Sequence, residues 1–364
     1  MKIGLLGLSI MCFLISILGC SGTVSSHSVM SMGESPSNKK ISNTQFTSVS
    51  QQDYFINTVP EKYTYENLLA DIKKIEEDNP DKVQCIKLCD TADDRGVYDI
   101  IVGDPNNEKQ ILIFGAMHAR EYITTQLVMR QLCDVIDVLN GVSKETTYRD
   151  ISKKNLLENV TIHFIPMNNP DGVSISQFGL SGIRNITLQQ KVSEMYSGDY
   201  SQWKANAVGV DLNRNFDADW QDFVGSRYPA AERYKGAYPG SEPEAASLID
   251  LTTQYHIRRA ISYHTCGALI YWYYKQQGDV LSESRRFAEL INAETGYPLD
   301  DDYTAVDAAG YKDWAVYQMG VPAITIETGA ENGRSIINPV PISRFNGIWE
   351  RNKNIVYATA YDLL

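Results

Sequence analysis

From about residue 55 onward, short apolar runs alternate with segments of helical periodicity. Residues 64–78 (TYENLLADIKKIEED) space their apolar positions for a helix. Strands are predicted over 83–89 and 97–102, with Asp104-Pro105-Asn106-Asn107 as a turn after them. A buried strand over 110–115, containing QILIF, runs into a helix that begins after Glu121. In that helix Leu127, Val128, Leu132, Val135, Ile136 and Leu139 recur at helical spacing. A strand over 159–166 (NVTIHFIP) leads into a long irregular region, about 168–245, rich in Asn, Pro, Asp, Gly and aromatics. Then follow a helix over 243–255, strands over 258–263 and 269–274, a helix over 279–295, a strand over 322–327 and a closing helix over about 342–361. Strands alternating with helices imply a doubly wound α/β sheet. A loop region of that length inside one domain is usually functional.

The amino terminus breaks this pattern. MKIGLLGLSIMCFLISILGC has one Lys, a long apolar run and then Ile17-Leu18-Gly19-Cys20, which resembles the lipobox of bacterial lipoproteins. An uncleaved anchor helix is the alternative. Residues 1–19 are thus expected to be a lipoprotein signal peptide and 20–54 a Ser-rich flexible tether. A domain over 55–364 would then lie outside the cytoplasmic membrane, anchored through a lipidated Cys20.

Among the 364 residues, 43% are hydrophobic and 21% charged, an ordinary globular balance able to bury a core. A formal net charge of −12 excludes the basic footprint that nucleic-acid binding requires. Cys85 and Cys89 lie in one predicted strand, about 13 Å apart at strand rise, too far to bridge each other. Cys133 and Cys266 read, like them, as small buried apolar residues.

Polar clusters fall at strand ends. His118, Arg120 and Glu121 follow the strand of residues 110–115, His264 follows 258–263, and Glu327 ends 322–327; ligands bind at such positions in open α/β sheets. Each has a plain structural reading: Glu121 as a first-turn acid favoured by the helix dipole, His264 as a satisfied core histidine. Their coincidence points elsewhere. A catalytic zinc wants three protein ligands and an open position for water. His118 and Glu121 can converge on one ion if the backbone turns between them, and His264 is the one distant His at a comparable site. Zinc brings the pKa of bound water to about 7, and a carboxylate such as Glu327 can take that proton.

His118-x-x-Glu121, Asp211-Leu212-Asn213-Arg214-Asn215, His264 and Glu327, in that order, resemble the M14 zinc carboxypeptidase family over essentially all of residues 60–361. That resemblance implies one domain with a central mixed, mostly parallel twisted sheet flanked by helices, and one zinc ion per chain. It implies that His118, Glu121 and His264 bind the zinc, with Glu327 as general base and then proton donor to the leaving amine. Asn213 and Arg214 would hold a substrate carboxylate, Arg214 through a bidentate grip. Asp211 would orient the first zinc-binding His, and Arg120 would line the subsite next to the scissile bond. The oxyanion-holding Arg of the family is replaced by Lys204, with Arg184 as the alternative. The position 22 residues before Glu327, usually a mobile Tyr, is Ala305; Tyr303 and Tyr311 flank it, and Tyr303 is assigned the role. Lys312, 15 residues before Glu327, would point into the pocket beyond the scissile bond and attract a carboxylate. Its alternative is a surface ion pair with Asp313 or Asp307.

WKANAVGVDLNRNF, HTCGALIYWYYKQ and GYKDWAVYQMGVPAITIETG are similar to the bacterial γ-D-glutamyl-L-diamino acid endopeptidases, which cut peptidoglycan stem peptides. The leading expectation is a zinc-dependent peptidase of such a substrate. A carboxypeptidase that trims proteins or peptides from the C-terminus is the alternative. An inactive lipid-anchored binding protein with the same fold is the third reading.

Overall fold

Strands β1 (Val83–Asp90), β2 (Gly96–Val102) and β3 (Gln110–Phe114) open the main sheet, separated from its later strands by a two-residue hairpin, β4 (Thr147–Tyr148) with β5 (Ile151–Ser152). Strands β6 (Thr161–Ile165), β7 (Ile257–Gly267), β8 (Leu269–Tyr271) and β9 (Ala323–Gly329) complete it. This computed structural model describes residues 54–300, 308–330 and 337–364, the side chain of Cys266 excepted. The signal-peptide assignment, the tether up to residue 53, Cys20, Tyr303, Ala305 and Asp307 lie outside the described residues. Tyr54, assigned to the tether, is instead buried in the core with its hydroxyl donating to Asp78, because its aromatic ring packs against helix α1 (Tyr65–Asp78).

The sheet has seven strands in the order β1-β2-β6-β3-β7-β9-β8. β6, β3, β7 and β9 pair in parallel, whereas β1 with β2, β2 with β6 and β8 with β9 pair antiparallel. Only β2 and β8 therefore run against the common direction, and the expected mixed, mostly parallel sheet is present. Every residue of β3 and β6 is buried, as expected of strands covered on both faces.

Alternation along the strands divides the core into two layers. Ile111, Ile113, Ile162, Phe164, Ile261 and Ile324 share one cluster with helices α1 (Tyr65–Asp78), α2 (Ile123–Leu139), α7 (Gly278–Thr295), α9 (Phe345–Asn352) and α10 (Ile355–Asp362). Leu112, Phe114, Ala260 and Ala323 pack on the other face against α6 (Pro243–Gln254) and α8 (Tyr311–Tyr317). Helix α1 starts at a capping box in which Thr64 accepts from the Asn67 N–H and Asn67 reciprocates. Leu68, Ile72 and Ile75 form its buried stripe. No helix of the described residues is long and apolar enough to cross a membrane.

Three differences from the sequence pattern follow from local chemistry. The region 168–245 is not wholly irregular: it holds α4 (Pro170–Phe178) and α5 (Ile186–Met195), after the short helix α3 (Lys153–Glu158). Asn169 and Asn185 cap the two helices through the N–H groups of Gly172 and Leu188. Strand β7 runs on past residue 263, because its ladder with β9 continues to Gly267 opposite Gly329. The closing segment is two helices, α9 and α10, and not one.

Candidate active site

The carboxyl ends of β3, β7 and β9 meet at one place. After β3 the chain turns through Ala116, which has a positive φ of 50°, into His118 and a single helical turn, Ala119–Glu121. Thr124, at the start of α2, fixes this turn: its hydroxyl accepts from Ala116 N–H (2.7 Å) and donates to Glu121 C=O (2.8 Å). His264 lies inside β7 and is the register partner of Glu327 on β9. Side chains directly across a strand pair stand close enough to act together. Gly267 is required here, because a Cβ at that position would meet Glu327 Cβ at 2.6 Å.

His118, Glu121 and His264 converge, all buried, with one possible ligand atom from each within 4.8 Å of the others. His118 Nδ1 is 3.1 Å from Glu121 Oε1, and His264 Nδ1 is 3.0 Å from both Glu121 Oε2 and His118 Nδ1. Two imidazole nitrogens facing each other at that distance need a proton or a cation between their lone pairs. Donors about 2.0–2.1 Å from a tetrahedral zinc lie about 3.3 Å from one another, so the set fits one ion. The other nitrogen of His118, Nε2, is 3.1 Å from Asp211 Oδ1, which fixes the tautomer that leaves Nδ1 free to ligate. Glu121 Oε2 also accepts from the backbone N–H of Thr265 at 3.2 Å, a contact with no sequence signal.

Electrostatics suit a cation. Burial raises Glu121, but His118 and His264 outweigh it and hold the carboxylate well below its ordinary range. Burial and the nearby His118 keep His264 below the usual imidazole value, so it presents a neutral ring. Against its burial, Asp211 is held low by Lys204, His118 and Arg214. Burial and the Glu121 carboxylate push Glu327 well above its ordinary range, with Lys204 and Arg214 opposing. Glu327 keeps some exposure, but its Oε2 is closed off with no hydrogen-bond partner among the described residues. A cation bound by Glu121 would offset that repulsion and return Glu327 towards a form that accepts protons.

Asp211 occupies the N-cap of the single turn Leu212–Arg214, on which Asn213 and Arg214 lie. Asn215 secures this loop by donating to the carbonyls of Lys235 and Tyr238. Asn213 Oδ1 accepts from the N–H of Tyr311, the first residue of α8, and Arg214 packs its guanidinium 5.2 Å from the Phe223 ring centre. Lys204 Nζ lies 3.5 Å from Asp211 Oδ2 and, with Arg214, is a cation near enough to act on Asp211 and Glu327. Arg184 is not: its guanidinium contacts Glu66 and Asp94 C=O and stacks on Tyr65, bound to the outer surface of α1.

Tyr311 cannot be a mobile tyrosine, being buried with its hydroxyl 2.9 Å from Thr252 Oγ1. Lys312 is neither a surface residue nor an open cation. It is 11% exposed, paired with Asp313, donating to Tyr273 C=O at 2.8 Å and lying over the Tyr274 ring. A substrate carboxylate there would have to compete with Asp313. Arg120 reaches Gln202 C=O and the carboxylate of Glu232, a partner that sequence reading missed. His163 is a satisfied core histidine between Asp99 and Gln110. Cys85, Cys89 and Cys133 are free thiols.

A mostly parallel sheet that gathers a His and a Glu from the turn after β3 and a second His from within β7, with a carboxylate across from it on β9, defines a one-metal hydrolase. Its family is settled by comparison: residues 68–355 match the zinc carboxypeptidase model, Peptidase M14, and the chain belongs to that family. It is 32% identical over 305 residues to γ-D-glutamyl-L-diamino acid endopeptidase 1 of Lysinibacillus sphaericus, covering 83% of this chain and 73% of that protein. Human mast cell carboxypeptidase A is 22% identical over 283 residues, covering 72% of this chain and 63% of that protein. Bovine thrombin-activatable fibrinolysis inhibitor shares the fold, with a TM-score of 0.65 at 21% identity over 84% of this chain and 98% of that one. The protein is accordingly a zinc metallopeptidase, a hydrolase using one zinc ion.

Proposed function

We propose that this peptidase hydrolyses the γ-D-glutamyl–diamino acid bond of peptidoglycan stem peptides. The carrying observation is the 32% identity, sustained over 83% of the chain, with a protein named for cutting that bond. Zinc at His118, Glu121 and His264 would polarise the scissile carbonyl and make a coordinated water acidic near neutral pH. In this reading Glu327 takes the proton of the attacking water and delivers it to the leaving amine. Lys204, beside Asp211, stabilises the negative charge that develops on the carbonyl oxygen. Asn213 and Arg214 hold the carboxylate of the leaving diamino acid. Tyr303 remains the assigned mobile tyrosine.

The second reading, a carboxypeptidase releasing C-terminal residues from proteins or peptides, draws on the mammalian relatives. Mass spectrometry of products separates the two. Purified L-Ala-γ-D-Glu-diaminopimelate should yield L-Ala-D-Glu and diaminopimelate in a chelator-sensitive manner. Rapid release of C-terminal residues from ordinary α-linked peptides, with the γ-linked bond left intact, would favour the second.

A lipid anchor at Cys20 would place the enzyme against the cell wall, and we propose that location on the Ile17–Cys20 motif. A Cys20→Ala variant should lose detergent partitioning and appear either in the medium or as unprocessed precursor. Unchanged membrane association with an unchanged mature mass would favour the anchor helix.

A further inference from the structure

The ion pair of Arg120 with Glu232 stands beside the metal ligands, at the residue expected from sequence to line the subsite next to the scissile bond. Arg120 sits between His118 and Glu121, and its side chain is 20% exposed while that of Glu232 is 50% exposed. Residues 202–205 and 231–233 run side by side there, with Lys204 N–H and Ala205 N–H both donating to Ala231 C=O at 3.0 and 2.8 Å. Both segments lie against the metal-binding turn. Ala119 N–H donates to Lys204 C=O at 3.0 Å, and Arg233 N–H to Asp211 Oδ2 at 3.1 Å.

The guanidinium is used unevenly. Nη1 donates to Gln202 C=O at 3.0 Å, which locks one arm to the backbone. On the opposite edge Nη2 meets Glu232 Oε2 at 3.3 Å, at the long end of the hydrogen-bond range, and the adjacent Nε–H is buried with no hydrogen-bond partner. Nε and Nη2 form the edge with which arginine grips a carboxylate through two parallel bonds. Glu232 fills half of that fork from a solvent-facing side chain.

Resting on the reading under Proposed function, we propose that this edge receives the free α-carboxylate of the γ-linked D-glutamyl residue. Glu232 would hold the place until substrate displaces it. A γ-linked glutamyl residue continues the chain through its side chain, so its α-carboxylate stays free and ionised on the acyl side of the scissile amide. An α-amidated or uncharged acyl residue offers no carboxylate there. The single long contact with Glu232, whose side chain is half exposed, adds about fivefold at most to the occupied state. A carboxylate taking both Nε and Nη2 of a mostly buried arginine gains about 10- to 150-fold. Substrate therefore wins the exchange, and the pair selects an acyl residue with a free carboxylate over one whose carboxylate is amidated.

The test compares L-Ala-γ-D-Glu-diaminopimelate with its D-isoglutamine counterpart, in which the α-carboxylate is an amide, on the zinc-loaded protein. Wild type should favour the acid by about 10- to 150-fold in kcat/KM, mostly through KM. Arg120→Gln should remove that preference, and Glu232→Gln should lower KM for the acid about two- to fivefold. Calorimetry with L-Ala-D-Glu and L-Ala-D-isoglutamine, the two acyl products, should show the same selectivity in Kd without turnover. Equal cleavage of acid and amide by wild type, or equal losses on both in Arg120→Gln, would overturn the inference while leaving the γ-glutamyl activity standing. Failure of the wild type to cleave either peptide would overturn that activity and this inference with it.

Discussion

Glu327→Gln should bind one zinc ion, keep its fold and lose nearly all turnover. Removal of a general base costs about 10²- to 10⁴-fold, and the upper part of that range is expected because the same residue would also protonate the leaving amine. The substitution preserves shape and removes a carboxylate that burial and Glu121 already disfavour, so it should not destabilise the protein. The metal-free proteins add an independent check. Glu327 has a raised pKa in the fold, so folding takes up a proton there, and this residue's contribution to stability is full below the unfolded carboxylate range and is lost as pH rises through its folded value. That loss should be absent in Glu327→Gln, so when thermal unfolding is followed across pH the difference in stability between wild type and variant should shift in the variant's favour as pH rises. Activity within tenfold of wild type would place the base elsewhere.

His264→Ala should lose the metal itself. Substitutions of residues that only orient a ligand weaken metal binding by about 10- to 100-fold, so deletion of one of three direct ligands should exceed about 100-fold. Hydrolysis should fall to background. His264 is buried between His118 and Glu121, so an Ala there also leaves a cavity; His264→Gln, which keeps most of the volume, should lose zinc as well. Metal analysis after dialysis decides the matter, and full zinc retention in both variants would remove His264 from the ligand set.

Much of the site was legible because its residues end apolar runs. β3 and β9 are near-continuous hydrophobic strands, and a His or a Glu at the end of such a run stands out from its surroundings. His264 was legible as a type but misplaced by one element, since it lies within β7 and not beyond it. Helices α4 and α5 were missed because their signals are caps, Asn169 before Pro170 and Asn185, and not a strong apolar stripe.

Contacts distant in sequence left no trace in the pattern. Arg95 is buried between Asp93 and Asp171 (2.5 and 3.0 Å), tying the β1–β2 turn to the start of α4. Arg120 and Glu232 are 112 residues apart, and no periodicity or spacing rule pairs them. The pairing of Lys312 with Asp313, by contrast, was open to reading from adjacency alone. What sequence could not show is that the pair is nearly closed to solvent beneath Tyr273 and Tyr274.

The central claim, a one-zinc peptidase directed at γ-D-glutamyl bonds, is tested most directly by titrating zinc into chelator-stripped protein. Mass spectrometry follows L-Ala-γ-D-Glu-diaminopimelate during the titration. The rate should rise linearly to one equivalent of zinc and then level off, with L-Ala-D-Glu and diaminopimelate as the products. A rate indifferent to zinc, or cleavage confined to another bond, would contradict the claim.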